Sequence, residues 1–184
     1  MSNNLIQNSF QVPNAYIDRL MPLLTDGEFR VLMVSLRHHG RPMGLQDFVQ
    51  ALGREAHAVA AALNGLLRYG AMEMEKLGQH HVFYIPNEPS EFFEASSLRL
   101  KGVTLLPDRA DDELDVQEYA LLARYLHACG GGRETCTERA NADEEETTRY
   151  ARQRLAEKGW IEVRNEGVYV TVTPTVKAWL GIEE

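Results

Sequence analysis

The sequence predicts a mainly α-helical chain that carries β-hairpins, an α+β protein made of two small modules built alike. Two observations lead there. A helix, a glycine, a strand, a tight turn and a second strand follow one another twice, over 54–86 and again over 143–173. The helical stretches repeat apolar residues three and four apart, whereas the hairpin stretches alternate. A length of 184 residues, 44% hydrophobic and 25% charged, holds one large globular domain or two small ones.

Taken in order, Tyr16 to Leu24 is a short helix interrupted by Pro22. Thr25-Asp26-Gly27-Glu28 is a capping box: Thr25 accepts the Glu28 N–H, and Glu28 reaches back. The helix it opens carries Phe29, Leu32, Met33 and Leu36, and stops at Gly40. Leu45 to Leu52 is a second helix, ended by Gly53. Arg54 to Tyr69 is a third, with Val59, Leu63, Leu66 and Leu67 inward, ended by Gly70. Residues 71–75 alternate, Gly78-Gln79 turns, and His81 to Ile85 is strand-prone. Three helices and a hairpin in this order are the layout of a winged helix-turn-helix.

Residues 87–110 form a connector rich in Pro, Ser and charge, in which Leu98–Leu100 and Val103–Leu105 have strand character. The layout then recurs over 111–184. Asp112 to Cys129 is one helix, stopped by Gly130-Gly131-Gly132; Glu134 to Asn141 is a short helix poor in apolar residues. Asp143 to Lys158 is a clear helix with acids at the positive end of its dipole. Residues 160–173 make a tight hairpin, Pro174 closes its second strand, and Thr175 to Leu180 is a terminal helical turn. The expectation is a tandem of winged helix-turn-helix modules, 1–86 and 111–184.

The stretch FQVPNAYIDRLMPLLTDGEFRVLMVSLRHHG, Phe10 to Gly40, resembles the opening of the winged-helix domain of phage- and plasmid-type replication initiators and DnaD-like primosomal proteins. The matching residues are Val12, Pro13, Asn14, Ile17, Asp18, Leu24, Thr25, Glu28, Val31, Leu32 and Arg37. The resemblance implies a DNA-binding protein that acts at an origin, in helicase loading, or in transcriptional control of such genes, with double-stranded DNA as partner.

On a helical wheel with Val59 at the centre of the core face, Arg54, His57, Ala61, Asn64 and Arg68 fall on the opposite face. In a winged helix that face enters the major groove, where Arg forks to guanine and Asn to adenine. The same residues equally suit an ordinary solvated face. Lys76 at the hairpin tip either meets a phosphate or simply solubilises the turn. Arg37 and Arg41, with His38 and His39, either grip the DNA backbone or complement the negative end of the first long helix. Residues 30–85, with six Lys/Arg against four Asp/Glu, are the one stretch of domain size with a positive balance.

The rest is acidic. Of the net charge of −8, residues 91–184 contribute −7, from twelve Lys/Arg and nineteen Asp/Glu. Acids at 143–146 repel phosphate from the helix they open, so the second module suits a protein partner or self-association, or phosphate contact by its Arg stripe alone. Arg149 and Arg152 are the outward residues assigned to that contact. The rival to a DNA binder is therefore a tandem winged-helix interaction scaffold that does not touch DNA, similar in size, charge and layout to acidic scaffolds of chromosome-segregation complexes.

Phosphate-loop, dinucleotide, zinc-protease and serine-hydrolase motifs are missing, so catalysis and cofactors are not expected. Cys129 and Cys136 fit neither a CxxC pair nor a zinc module, and are expected as reduced thiols, one on a helix and one at the start of the next element. No apolar run has the length of a membrane span, and Met1–Phe10 has no signal-peptide pattern, which points to the cytoplasm.

Overall fold

Thr25 and Asp115 each begin the main helix of one half of the chain, and both do so with the reciprocal hydrogen bonds foreseen for Thr25. In this computed structural model, which describes residues 10, 12–14, 16–38, 40–86, 106–130, 133–139 and 146–183, the Thr25 N–H donates to Glu28 Oε2 at 2.7 Å and the Glu28 N–H donates to Thr25 Oγ1 at 3.3 Å. Helix α1 then runs Asp26–Arg37. A π-helical turn, Tyr16–Leu20, and a tighter 3-10 turn, Met21–Leu23, precede it, with Pro22 at the start of the second.

The first half continues with strand β1 (Met43–Gly44), α2 (Leu45–Leu52), α3 (Ala56–Arg68), β2 (Glu73–Leu77) and β3 (His80–Tyr84). The antiparallel sheet has the order β1-β3-β2, with Met43 opposite Phe83 and Met74 opposite Phe83 on the other side. The two-residue β1 is an addition to the expected hairpin. Gly78 turns the hairpin at φ 66°, a conformation that favours glycine. Val59, Leu63, Leu66, Phe48 and Phe83 fill the core, as expected for α3, while Leu67 is only half-buried.

The second half holds α4 (Arg109–Glu113), α5 (Val116–Cys129), β4 (Cys136–Arg139), α6 (Glu146–Glu157), β5 (Ile161–Glu166), β6 (Tyr169–Pro174) and α7 (Val176–Leu180). Its sheet has the order β4-β6-β5. Leu122, Leu155 and Trp160 are buried as expected.

Three expectations are corrected. The single helix over Asp112–Cys129 is two, because Asp115 caps a fresh start: its side chain accepts the Gln117 and Glu118 N–H groups, and Glu118 accepts the Asp115 N–H at 2.9 Å. The short helix expected over Glu134–Asn141 is strand β4, whose residues 136–139 pair with 172–169 of β6. Its apolar poverty misled because Glu138 occupies an inward register position, opposite buried Val170. Arg152, expected outward, is 7% exposed: it donates to the Tyr125 hydroxyl at 2.7 Å and to Glu138 Oε2 at 3.0 Å. The expected strands at 98–105 and the acids Asp143–Glu145 lie outside the described residues. Among the described residues no helix is long and apolar enough to cross a membrane.

A candidate nucleic-acid interface and the helix that covers it

Helix α3 was expected to bury one face and offer the other to DNA. Much of that second face is instead engaged by the other half of the chain, while Arg54, just before the helix, stays exposed. Val59, Leu63 and Leu66 meet the first half, where α1 and α2 pack on α3; α7 of the second half lies against α3 as well. The Asn64 amide donates to the Trp179 carbonyl, and Trp179 is 4% exposed. Arg54 donates to Glu134 Oε1 at 3.1 Å, and His57 Nε2 stands 3.8 Å from Glu134 Oε2. Arg68 is half-buried beside the same cleft, a space of about 750 Å³ including its open mouth, shared by the first turn of α1, α3, Cys129–Gly130, Arg133–Glu134 and Trp179.

The four residues assigned to base reading are thus brought together, but against the second half of the chain. Two of them share one carboxylate and a third holds a backbone carbonyl, so this face is not an open positive strip. The physical reason lies in the small residues. Ala58, Ala61, Ala62 and Gly65 make α3 thin, which suits close approach by any partner, and here α1 and α7 take that place. A Cβ on Gly27 of α1 would stand 3.7 Å from Ala62 Cβ.

The remaining expected contacts are scattered. Arg37, Arg41 and Lys76 are exposed. Lys76 of β2 lies opposite His81 of β3 and follows exposed Glu73 and Glu75 on its own strand. The Tyr84 hydroxyl donates to Glu73 Oε2 at 2.8 Å, and that bond holds the phenol above its ordinary pKa. Arg149 is exposed on α6, whereas Arg152 of the same expected pair is buried.

A cationic–carboxylate network that the sequence reading missed ties the second half together. Glu118, 1% exposed, accepts Lys158 Nζ at 2.5 Å and Arg154 Nε at 3.2 Å. Burial pushes its carboxyl up, but Lys158, the Asp115 N–H and Arg154 outweigh burial and hold it below the usual glutamate range. Lys177 of α7 donates to Glu113 Oε2 at 2.6 Å and stands 4.7 Å from the centre of the Trp160 ring. The bond from Lys177, then that from Arg109, holds Glu113 low against burial. The Asp115-x-x-Glu118 spacing was the available signal for this network. Tyr125, raised to about 12 by burial, stays a neutral hydroxyl between Arg152 and Glu138.

Among the described residues no three His, Cys, Asp or Glu side chains stand together as a metal ligand set. No family model matches the chain, and no curated protein or solved structure matches it either.

Proposed function

We propose that the chain is a tandem winged helix-turn-helix scaffold for protein contacts, whose first module does not read duplex DNA through α3. One observation carries this reading: the α3 face that would enter a major groove is occupied by Trp179 and Glu134 of the second half. The charge supports it. An overall −8 weakens attraction to phosphate, and the acidic half is the larger contributor. The second module supplies the contact surface, for self-association or for a protein partner. Val116 is 86% exposed and Tyr150 60%, and the same two helices, α5 and α6, form a shallow groove lined by Ala120, Leu121, Arg124 and Ala151.

The test is salt-dependent anisotropy of labelled random duplex and single-stranded DNA with the purified chain. The expected result is no duplex binding at micromolar protein and near-physiological salt, with Arg54→Ala and Arg68→Ala behaving like wild type. Salt-dependent duplex binding that is lost in either variant overturns the reading and restores the replication- or transcription-type DNA binder. Exposed Arg37, Arg41 and Lys76 support a second, narrower reading, in which DNA meets the hairpin side instead. Under it, alanine at these three positions flattens the salt slope by about one unit per lost phosphate contact.

A further inference from the structure

The chain has two cysteines, and the fold brings them together although six residues separate them. Cys129 is the last residue of α5 and is 1% exposed; Cys136 is the first residue of β4, half-buried against the same core. Helix α5 packs on β4, and each thiol is the strongest influence on the other. Cys129 borders the cleft beside α3, and neither sulfur belongs to the ion-pair network described above. From this juxtaposition we propose that Cys129 and Cys136 are a modification site: a dithiol that closes reversibly to an intramolecular disulfide on reaction with a hydroperoxide.

Position favours closure. Both residues stand at the ends of their elements, so the sulfurs can approach by side-chain rotation and a small shift of those ends, without breaking the interior of a helix or a ladder. Chemistry assigns the order of events. The neighbouring Cys129 thiol, with the Arg124 and Arg152 guanidiniums, favours the Cys136 thiolate against the opposing effects of burial and Glu138. Cys129, buried and facing that thiolate, is held protonated. Cys136 is also the more accessible of the two.

The balanced reaction has two steps. The Cys136 thiolate attacks one peroxide oxygen; an S–O bond forms, the O–O bond breaks, and the departing hydroxide or alkoxide is protonated. The Cys129 sulfur then attacks the Cys136 sulfenic acid. An S–S bond forms, the S–O bond breaks, and the leaving hydroxide takes the Cys129 proton as water. Two thiols are oxidised and one hydroperoxide is reduced; an external thiol reverses the closure by exchange. The closed ring contains Glu134, the partner of Arg54 and His57, so oxidation acts on a segment that joins the two halves.

The sequence offers a direct assay. Trypsin cleaves after Arg124, Arg133 and Arg139, which puts Cys129 in peptide 125–133 and Cys136 in peptide 134–139. Folded full-length chain is treated with a small excess of hydrogen peroxide, remaining thiols are blocked, and the non-reducing digest is read by mass spectrometry. The expected result is one species, the two peptides joined with loss of two hydrogens, formed in monomeric protein and returned to free thiols by dithiothreitol. In Cys129→Ser the Cys136 sulfenic acid, with no thiol to resolve it, should be trapped by dimedone; in Cys136→Ser the buried Cys129 should stay unmodified. Disulfide only between chains, overoxidation of Cys136 in the wild type without the joined peptides, or thiols that react only after unfolding would each overturn the proposal. The wild-type digest decides the matter even where a serine variant fails to fold.

Discussion

Replacing Trp179 by alanine tests the feature on which the functional reading rests, the seat of α7 on α3. The indole is 4% exposed, and a buried tryptophan removes roughly 150–250 Å² from water. At about 25 cal/mol per Å² this corresponds to roughly 4–6 kcal/mol. The site adjoins the open cleft, so water can enter the space left behind, and the low end of the usual range of about 3–5 kcal/mol is expected. The Asn64 bond reaches the residue 179 carbonyl, which alanine retains, so the loss measures packing. Urea unfolding followed by both circular dichroism and fluorescence is the assay. The chain has two tryptophans, so in the variant Trp160 alone reports, from the second half. With a slope of about 1–3 kcal/mol per molar urea, the midpoint should fall by at least about 1 M, and both signals should move together. The exposed control Val116→Ala should stay within about 0.5 kcal/mol. A loss under about 1 kcal/mol, or a Trp160 transition that shifts while the helical signal of the first half does not, would refute the shared interface.

Other expectations follow from single contacts. Gly65→Ala gains about 1 kcal/mol of helix propensity, but its Cβ would stand 1.8 Å from Glu28 Oε1, inside the capping box; displacing buried Glu28 should leave the variant less stable by about 1–3 kcal/mol, and a raised Tm would contradict this packing. Glu118→Gln removes charge-assisted bonds and should cost about 1.5–3 kcal/mol at neutral pH. Because the folded carboxyl is held low, its contribution is present above the unfolded value of about 4.3 and fades as pH falls through the folded value. The wild type and Glu118→Gln should therefore converge in stability in acid, and a gap that widens below pH about 4 would reverse the assigned sign. Arg152→Glu should cost about 3–5 kcal/mol by burying an acid beside Glu138, while Arg149→Glu should stay within about 0.5 kcal/mol; equal effects in thermal melts would put Arg152 back on the surface.

What the sequence made legible was local. Thr25 with Glu28, the glycine stops at Gly53 and Gly70, and the alternation through Phe83 each depend on neighbours a few residues away, and the matching elements stand where they were expected. The helical wheel of α3 had the same strength and the same limit. It found the inward side through Val59 and Leu63, but nothing in a period of 3.6 tells whether the far side meets water, DNA or α7, more than a hundred residues away along the chain. Strand β4 was hidden for a related reason. Glu138 reads as solvent-facing until Arg152 and Tyr125, from two other elements, are known to surround it.

That inward glutamate has a consequence for how the protein keeps to itself. Strand β4 is the outer strand of its sheet, with one side of its backbone free of the β6 ladder. An outer strand of four alternating residues is a template on which another chain could extend the sheet. A newcomer would have to stack against a carboxylate that already belongs to Arg152 and Tyr125, and would strand a charge in doing so. At the corresponding border of the other sheet, β1 is only two residues long, too short to offer a run of donors and acceptors. Each sheet thus has one border built against accretion, one by an inward charge and the other by brevity.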